Sequence, residues 1–359
     1  MTKVLILGSG NIGSVVANLL QQTGDYTITL ASRNSQQLLQ ASQQSSIDTL
    51  TIDTNSDELS NLFKNFELVV SALPFFENTH IAQTALKAGI SYFDLTEDRE
   101  TTQNIINIAK QAKAGQVFMP QCGLAPGAIG IIGHGLSQSF DTIREVKMRV
   151  GALPLYPSNE LKYNLSWSTQ GLINEYCNPC QILYNGKVTE VLPLEGLEHF
   201  TLDGVEYEAF NTSGGLGRLS ETLQGKAQDL SYKSIRYKGH RDLMHFLLHG
   251  LDFIKEQKAL QTLLEKNLPK TRQDLVLLYI TITGDIKGTF QQRSYTKKVY
   301  HSNEHTAIEL TTAHGLCAAI DLFIQKELPQ QGFINQDQIQ LKSFFNNRFG
   351  LIYKGDKDV

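Results

Sequence analysis

The first thirteen residues constrain the fold more than any other stretch of the chain. Val4-Leu5-Ile6-Leu7 is a run of four apolar residues, which predicts a strand buried on both faces. Gly8, Gly10 and Gly13 follow it at the spacing G-x-G-x-x-G. Apolar residues then recur at helical spacing, at Ile12, Val15, Val16, Leu19 and Leu20. A strand, a glycine turn and a helix in this order are typical of a dinucleotide-binding unit.

The turn Gly8-Ser9-Gly10-Asn11-Ile12-Gly13 is therefore predicted to hold a pyrophosphate. Gly8 permits the tight turn, Gly10 lets the backbone approach the phosphates, and Gly13 lets the helix pack closely on the strand. The helix N-terminus adds free N–H groups and a partial positive charge. The competing interpretation is a glycine-rich turn that binds nothing.

Strand-like and helical stretches alternate through the first 120 residues. The strand-like runs lie at 27–30, 50–52, 68–72, 92–95 and 117–119, with helical patterns such as 81–88 and 105–112 between them. Alternating βα units predict a doubly wound parallel sheet that binds ligands at the carboxyl ends of its strands.

The end of the second predicted strand indicates which dinucleotide is bound. NAD enzymes usually carry Asp or Glu there, but this chain has Ser32 and Arg33. A hydroxyl and a guanidinium suit a 2′-phosphate, so the pattern favours NADP; NAD is possible if Arg33 is only a solvated surface residue. By topology, Asp53 is expected beside the adenine and Ala72-Leu73-Pro74 beside the nicotinamide ribose.

The second half of the chain changes character after a Gly/Pro-rich break at Cys122–Gly127. From Glu145 apolar and polar residues alternate, and Tyr184-Asn185-Gly186-Lys187 carries a type I′ hairpin signal. These patterns predict a second α/β domain with a mixed, largely antiparallel sheet. We expect an NADP-binding domain over 1–122, a substrate-binding and dimerisation domain over 123–310, and a C-terminal helical segment over 311–359 that packs on the first domain.

Candidate substrate ligands cluster in one polar region of this second half. Six cations lie from Arg218 to Arg241 inclusive, close to the glycines that follow Thr212, and five of them are Arg218, Lys233, Arg236, Lys238 and Arg241. Cations beside small residues suit carboxylate ligands, although a solvated charged face gives the same pattern. The predicted substrate residues are Thr212, Ser213, Gly214, Arg218, Lys233 and Arg236.

Three residues are candidates for proton transfer. Asp94 follows the fifth strand at its carboxyl end, where a loop-stabilising carboxylate is the alternative. Tyr163 lies in a polar segment with the only tryptophan, Trp167, and His240 has a side chain that titrates near neutral pH. A buried, hydrogen-bonded histidine is an equally good interpretation of His240. No metal site is predicted, because Cys177-x-x-Cys180 lacks a second pair of cysteines.

The bulk properties limit the kinds of partner. The 359 residues carry a formal net charge of −4, which gives no electrostatic footprint for nucleic acid. No uninterrupted apolar run reaches the roughly 18 residues of a membrane span. The chain begins with a predicted strand, which leaves no room for a signal peptide, and four scattered cysteines fit a reducing compartment. These features predict a cytoplasmic protein that binds neither nucleic acid nor membrane.

Several motifs together resemble the saccharopine dehydrogenase family. They are Gly8 to Gly13, Tyr92-Phe93-Asp94-Leu95-Thr96, Cys122-Gly123-Leu124-Ala125-Pro126-Gly127, Thr212-Ser213-Gly214-Gly215 and Arg236-Tyr237-Lys238-Gly239-His240. The resemblance covers nearly the whole chain and is greatest to the saccharopine reductase and lysine 6-dehydrogenase branches. It implies a Rossmann domain, an α/β substrate domain and a homodimer. Saccharopine reductases commonly carry Asp where this chain has Ala125, and in that respect the chain is similar to lysine 6-dehydrogenases. Lysine 6-dehydrogenases use NAD and carry an acid after the second strand, whereas this chain has Ser32 and Arg33 there.

The resemblance implies an NADP-dependent oxidoreductase that acts on a carbon–nitrogen bond of an amino acid. The leading hypothesis is reduction of the imine that α-aminoadipate semialdehyde forms with glutamate, giving saccharopine. The three carboxylates of saccharopine would account for the cations between Arg218 and Arg241. The alternatives are a lysine 6-dehydrogenase, a carboxynorspermidine-type imine reductase, and a protein that senses NADP without turnover.

Overall fold

The computed structural model describes residues 1–44, 47–56 and 58–355. The chain forms two compact units. The first comprises Met1–Ile131 and Glu309–Ile352, and the second comprises Ile132–Ile308 with residues 353–355. Residues 356–359 of the predicted C-terminal segment lie outside the described residues.

The strands and helices are numbered in chain order. The strands are β1 (Thr2–Leu7), β2 (Tyr26–Ser32), β3 (Asp48–Thr51), β4 (Leu68–Ser71), β5 (Ser91–Asp94), β6 (Val117–Met119), β7 (Thr142–Pro154), β8 (Cys180–Tyr184), β9 (Lys187–Val191), β10 (Glu198–Leu202), β11 (Val205–Asn211), β12 (Ala227–Tyr237), β13 (Asp274–Ile286), β14 (Thr289–Tyr300) and β15 (Gly332–Phe333). The helices are α1 (Asn11–Gln22), α2 (Ser35–Gln44), α3 (Leu59–Phe63), α4 (Phe75–Ala88), α5 (Arg99–Ala109), α6 (Ala128–Ser137), α7 (Thr169–Cys177), α8 (Leu219–Leu223), α9 (His240–His245), α10 (Gln257–Asn267), α11 (Ala307–Ile324) and α12 (Leu341–Asn346). A π-helical turn, Phe246–Gly250, continues α9, and short 3₁₀ turns occur at Phe253–Lys255, Gln336–Gln338 and Gly350–Tyr353.

The first unit is built on a seven-stranded parallel sheet. Its strand order is β15-β6-β5-β4-β1-β2-β3, so the order reverses between β1 and β4. All four residues of the apolar run Val4–Leu7 are buried, as expected for a strand covered on both faces. The predicted doubly wound parallel sheet is confirmed. The sequence did not predict β15, a two-residue strand from the C-terminal part of the chain.

Helix α11 belongs to the interior of the first unit for most of its length. It has 18 residues and a mean hydropathy of 1.4, which is long and apolar enough to cross a membrane, yet 72% of it is buried. Its Asp321 is 1% exposed and accepts hydrogen bonds from the Tyr26 hydroxyl (2.6 Å) and the Asn347 amide (2.7 Å). Arg348 pairs with the same carboxylate at 2.6 Å. This bonding identifies α11 as a core helix, because a buried carboxylate requires such partners.

The second unit is built on a mixed sheet. Its main strand order is β10-β11-β12-β7-β13-β14, and the β8–β9 hairpin pairs with β12. Only the β12–β7 pairing is parallel among the strand pairs described, which confirms the predicted largely antiparallel sheet. Asn185 and Gly186 have φ of 50° and 75°, so the predicted type I′ hairpin is also confirmed.

The two faces of this second sheet have different partners. On one face, Phe210 of β11 packs in a cluster with residues of α7 and α10. The cluster on the other face contains residues of the strands and of the segment that follows β7. Because side chains alternate along a strand, odd and even positions of β12 face these different surroundings.

Candidate functional site

The glycine turn after β1 is closely packed at two of its three glycines. Gly8 has φ 110°, and its N–H donates to the Ala31 carbonyl at 2.8 Å. A Cβ on Gly8 would lie 2.7 Å from the Ala72 oxygen, and one on Gly13 only 1.9 Å from the Gly8 oxygen. No side chain fits at either position, as the sequence pattern implied.

The third glycine faces open space. Gly10 is the N-cap of α1, no side chain caps this helix end, and a Cβ on Gly10 meets nothing within 4 Å. Ser9 is fixed at this turn because its hydroxyl donates to Gln37 (3.1 Å) and its carbonyl accepts from Ser14 (3.1 Å). Uncapped N–H groups beside open space fit a pyrophosphate.

Ser32 and Arg33 lie at the adjacent strand end. Leu7 pairs with Ala31, so the residues that follow β1 and β2 emerge side by side. The Ser32 hydroxyl accepts from the Asn34 N–H at 3.2 Å and keeps its own hydrogen to donate. Arg33 is exposed, and within the described part of the chain its guanidinium forms no hydrogen bond or ion pair. Both groups are therefore available to a 2′-phosphate.

The other predicted cofactor residues also lie at strand ends. The N–H of Ala72 donates to the Leu7 carbonyl at 2.8 Å, which holds Ala72-Leu73-Pro74 against the glycine turn. This is the place where the strand order reverses, and ligands of doubly wound sheets bind there. Asp53 is exposed after β3, where its carboxylate accepts from the Asn55 N–H at 3.0 Å.

Asp94 is completely buried at the end of β5. One carboxylate oxygen accepts from the N–H groups of Thr96 (2.9 Å) and Gln121 (3.0 Å), and the other accepts from the Tyr92 hydroxyl (2.7 Å). Burial raises the pKa of Asp94 to about 6. These contacts give Asp94 an anchoring role between two chain segments, and its catalytic role stays a prediction.

The second unit holds a buried cation on the helix-covered face of its sheet. Arg236 of β12 is 3% exposed. Its Nε donates to the Tyr176 hydroxyl at 2.8 Å, and its Nη1 donates to the Ile235 carbonyl at 2.8 Å. Its Nη2 donates to no other group among the residues that the structure describes. A guanidinium nitrogen that has no protein partner, on an arginine that is only 3% exposed, suits an anionic ligand.

Two of the three predicted catalytic residues lie beside Arg236. The Tyr163 ring is 5.2 Å from the guanidinium carbon, and the Tyr163 hydroxyl accepts from the Trp167 indole N–H at 3.0 Å. The His240 ring contacts Tyr163, with centroids 5.4 Å apart, and its Nε2 lies 3.0 Å from the Tyr176 hydroxyl. Burial and the nearby Arg236 charge lower the pKa of His240 to about 3, so the ring is neutral at physiological pH.

The predicted loop at Thr212 reaches the same face. The Thr212 hydroxyl lies 2.9 Å from that of Ser234, two residues before Arg236 on β12. Ser213 binds the Asn174 carbonyl through its hydroxyl (3.2 Å), and Gly214 has φ 88°. A Cβ on Gly215 would lie 2.2 Å from the Tyr232 ring, so the loop lies directly on this aromatic side chain.

Two predicted substrate cations do not join Arg236. Lys233 points to the opposite face, because it lies three positions before Arg236 on β12 and side chains alternate along a strand. There its ammonium binds Glu198 at 2.6 Å, and Arg149 pairs with the same carboxylate at 2.8 Å. Arg218 forms an ion pair with Glu221 at the start of α8. Grouping Lys233 with Arg236 ignored strand alternation, whereas the substrate role predicted for Arg218 stays a prediction.

Sequence reasoning missed two residues that organise this site. Tyr176 connects Arg236 to His240, and Glu208 accepts from the N–H groups of Gly239 (2.8 Å) and Arg241 (2.6 Å), on both sides of His240. Glu208 lies opposite Arg236 in the antiparallel register of β11 and β12, and it is 2% exposed. A glutamate at an inward position of an alternating strand is a signal that could have identified it.

The fold and the glycine turn define a Rossmann-type dinucleotide-binding protein with a second α/β domain. Residues 4–119 match the saccharopine dehydrogenase NADP binding domain, and residues 123–348 match the saccharopine dehydrogenase C-terminal domain. The chain belongs to the saccharopine dehydrogenase family, as the sequence motifs had suggested.

Curated relatives of this chain are named alpha-aminoadipic semialdehyde synthases or saccharopine dehydrogenases. The chain is 29% identical over 270 residues to the mitochondrial alpha-aminoadipic semialdehyde synthase of Mus musculus, which covers 69% of this chain and 28% of that protein. It is 22% identical over 276 residues to the saccharopine dehydrogenase [NADP(+), L-glutamate-forming] of Schizosaccharomyces pombe, covering 71% of this chain and 59% of that protein. The alignments thus span less than two thirds of these relatives' lengths.

A solved structure supports the fold over the full chain. Apo saccharopine dehydrogenase (L-Glu forming) from Saccharomyces cerevisiae superposes with a TM-score of 0.81 at 15% identity, covering 96% of each chain. At this identity the similarity establishes the fold, a Rossmann-type parallel sheet with a second mixed sheet.

Proposed function

We propose that this protein is an NADP-dependent oxidoreductase that reduces the imine of α-aminoadipate semialdehyde and glutamate, or runs the reverse, glutamate-forming reaction on saccharopine. The observation that carries the proposal is the buried Arg236, whose Nη2 has no partner in the described part of the chain, within a domain that matches the saccharopine dehydrogenase C-terminal domain. Such a group binds a carboxylate, which every substrate of this reaction carries.

The first unit supplies the cofactor site of this proposal. The uncapped start of α1 receives the pyrophosphate, with Gly10 leaving the space for it. Ser32 and Arg33 bind the 2′-phosphate, which selects NADP over NAD. When bound, NADPH supplies the hydride that reduces the imine carbon.

The second unit supplies the substrate site. Arg236 binds a substrate carboxylate through Nη2, and the hydroxyls of Thr212 and Ser234 offer donors on the same face. Glutamate's amine and the aldehyde lose one water to form the imine, and the imine nitrogen takes up a proton as the carbon is reduced. These transfers require a general acid and a base; we propose Tyr163 for one of them, and the catalytic role of Asp94 stays a prediction.

The direct test is an assay of the purified protein. NADPH oxidation is followed in the presence of glutamate plus α-aminoadipate semialdehyde, and NADP⁺ reduction in the presence of saccharopine. The proposal predicts turnover in both directions and none with the semialdehyde alone. Turnover of lysine without saccharopine would identify a lysine 6-dehydrogenase instead. Turnover of a polyamine-derived imine would identify a carboxynorspermidine-type reductase, and cofactor binding without any turnover would identify a sensor.

A matched pair of variants links activity to the site. Arg236→Lys keeps the charge but removes the planar guanidinium, so KM for saccharopine should rise steeply. Arg272→Lys changes an exposed arginine elsewhere in the second unit and should leave KM unchanged. Equal behaviour of the two variants would remove Arg236 from the substrate site.

We also propose that a second copy of the chain covers the strand-only face of the second sheet. Phe200, Tyr237 and Tyr279 lie there, partly exposed, over a cluster of buried aliphatic residues. A partly exposed aromatic layer of this kind is typical of protein interfaces. Light scattering of the purified protein should therefore give the mass of a homodimer.

Two variants test this interface. Phe200→Glu should shift the dimer towards monomer, because it places a charge on the apolar layer. Phe290→Glu changes a 57% exposed aromatic residue on the β13–β14 hairpin and serves as control. A wild-type monomer at micromolar concentration would contradict the proposal.

The predicted cytoplasmic location stays an expectation.

A further inference from the structure

Hydrogen bonds connect Arg236 to Tyr176, Tyr176 to His240, and His240 to Leu161. The groups at the two ends of this series determine which atom donates in each bond. An arginine Nε–H can only donate, so the Tyr176 oxygen accepts at 2.8 Å. At the other end the Leu161 carbonyl can only accept, so His240 Nδ1, 2.8 Å away, carries a hydrogen and donates it. His240 Nε2 is then the acceptor for the Tyr176 hydroxyl at 3.0 Å. Arg236 therefore donates to Tyr176, Tyr176 donates to His240, and His240 donates to Leu161.

This polarity requires a neutral histidine. A second proton on His240 would place a donor against the Tyr176 hydroxyl and remove the acceptor that Nε2 provides for it. The desolvated site and the Arg236 charge oppose that proton, and they lower the pKa of His240 to about 3. Charged or titratable groups that face the ring or its backbone are Arg236, Tyr163, Tyr176 and Glu208.

The aromatic rings around this series of hydrogen bonds restrict the movement of its side chains. His240 lies parallel to Phe210, with 6° between the planes and centroids 6.4 Å apart, and edge-on to Tyr176 at 5.9 Å. Glu208 binds the backbone N–H groups on both sides of His240. The guanidinium carbon of Arg236 lies 5.2 Å and 5.8 Å from the rings of Tyr163 and Tyr176. His240 and Tyr176 are therefore fixed before any ligand binds.

We propose that Tyr176 and His240 are positioning residues, which hold the Arg236 guanidinium so that its Nη2 is presented to a substrate carboxylate. This inference rests on the proposed function, because it takes the carboxylate substrate from there. It replaces the acid role predicted for His240 by an acceptor role. Its physical basis is preorganisation: a guanidinium that is already oriented loses less conformational freedom when the ligand binds.

The decisive variant is Tyr176→Phe. It keeps the ring that packs against Phe210 and His240 and removes only the oxygen that accepts from Arg236. KM for saccharopine should rise about tenfold or more, as expected for loss of one hydrogen bond to a charged group, with a much smaller change in kcat. The matched control is Tyr184→Phe, which removes the hydroxyl of a 59% exposed tyrosine on the β8–β9 hairpin. Its KM should stay at the wild-type value.

Variants of His240 separate positioning from general stability. His240→Gln keeps an acceptor for the Tyr176 hydroxyl and should hold KM within about threefold of wild type, whereas His240→Leu has no acceptor and should match Tyr176→Phe. The double variant Tyr176→Phe/His240→Leu should be no worse than either single variant, because both interrupt the same chain. An unchanged KM in Tyr176→Phe, or a loss of kcat alone in His240→Leu, would overturn the proposal.

A measurement without substrate keeps this test independent of the proposed function. In protein labelled with ¹⁵N at arginine and histidine, NMR should show His240 as a neutral Nδ1–H tautomer that does not titrate between about pH 5 and about pH 8. The Arg236 Nε–H signal should exchange slowly in wild type and fast in Tyr176→Phe. Failure to turn over saccharopine with this NMR pattern intact would refute the proposed function alone. An Nε2–H tautomer of His240, or a His240 that titrates in this pH range, would refute the positioning role of Tyr176 and His240.

Discussion

Replacing Arg33 by alanine should change which dinucleotide the protein prefers. Arg33 is exposed, and in the described part of the structure its guanidinium has no protein partner, so its removal breaks no internal contact. A hydrogen bond to a charged group contributes about 1.5–3 kcal/mol. Since each 1.4 kcal/mol is a factor of about ten, the affinity for NADPH should fall about 10- to 150-fold. The affinity for NADH, which has no 2′-phosphate, should barely change.

The assay is titration of nicotinamide fluorescence with NADPH and NADH, for wild type and variant. Arg272→Ala removes the same charge from an exposed site in the other unit and serves as control. The Tm of Arg33→Ala should match wild type, because exposed substitutions usually change stability by less than about 0.5 kcal/mol. An unchanged ratio of NADPH to NADH affinity in Arg33→Ala would refute the assignment of Arg33 to the 2′-phosphate.

Three further predictions follow from the glycine turn, Asp94 and the Thr212 loop. Gly13→Ala places a Cβ 1.9 Å from the Gly8 oxygen and should lower stability by about 1–3 kcal/mol in urea unfolding. Gly10→Ala has no such contact, so it should keep its Tm and lose only cofactor affinity; equal Tm losses in both variants would contradict this. Because the native pKa of Asp94 is raised to about 6, the native state binds the proton more tightly and Asp94's contribution to stability falls as pH rises from about 4 to about 6. The unfolding free energy of wild type minus that of Asp94→Asn should therefore decrease over this range, and a constant difference would exclude the raised pKa. Gly215→Ala should raise KM for saccharopine by displacing the loop from Tyr232, and a wild-type KM would show that the loop is not part of the site.

The parts of the fold that local sequence patterns specify were predictable. The buried strand at Val4–Leu7, the glycine spacing and the Asn185-Gly186 hairpin each depend on residues close in sequence, and each is found in the structure. Strand β15 could not be predicted, because its two residues pair with β6 from more than 200 positions away. Such pairing depends on where the chain returns, which no local pattern records.

The candidate site was predictable as a set of residue types but not as a geometry. Arg236, Tyr163 and His240 do lie together. Lys233 was grouped with them although strand alternation places it on the opposite face, in an ion pair with Glu198. Tyr176 was missed because a tyrosine in an amphipathic helix looks like an ordinary core residue, and only the structure shows its hydroxyl bonded to both Arg236 and His240.

In the proposed reaction a hydride passes from bound NADPH to the imine carbon of an amino-acid substrate. The most direct measurement uses NADPH deuterated at the transferable position of the nicotinamide, with glutamate and α-aminoadipate semialdehyde, and mass spectrometry of the product. The expected product is saccharopine with one deuterium on the former aldehyde carbon, next to the bridging nitrogen. NADPH consumption without deuterium in saccharopine, or no reaction at all, would contradict it.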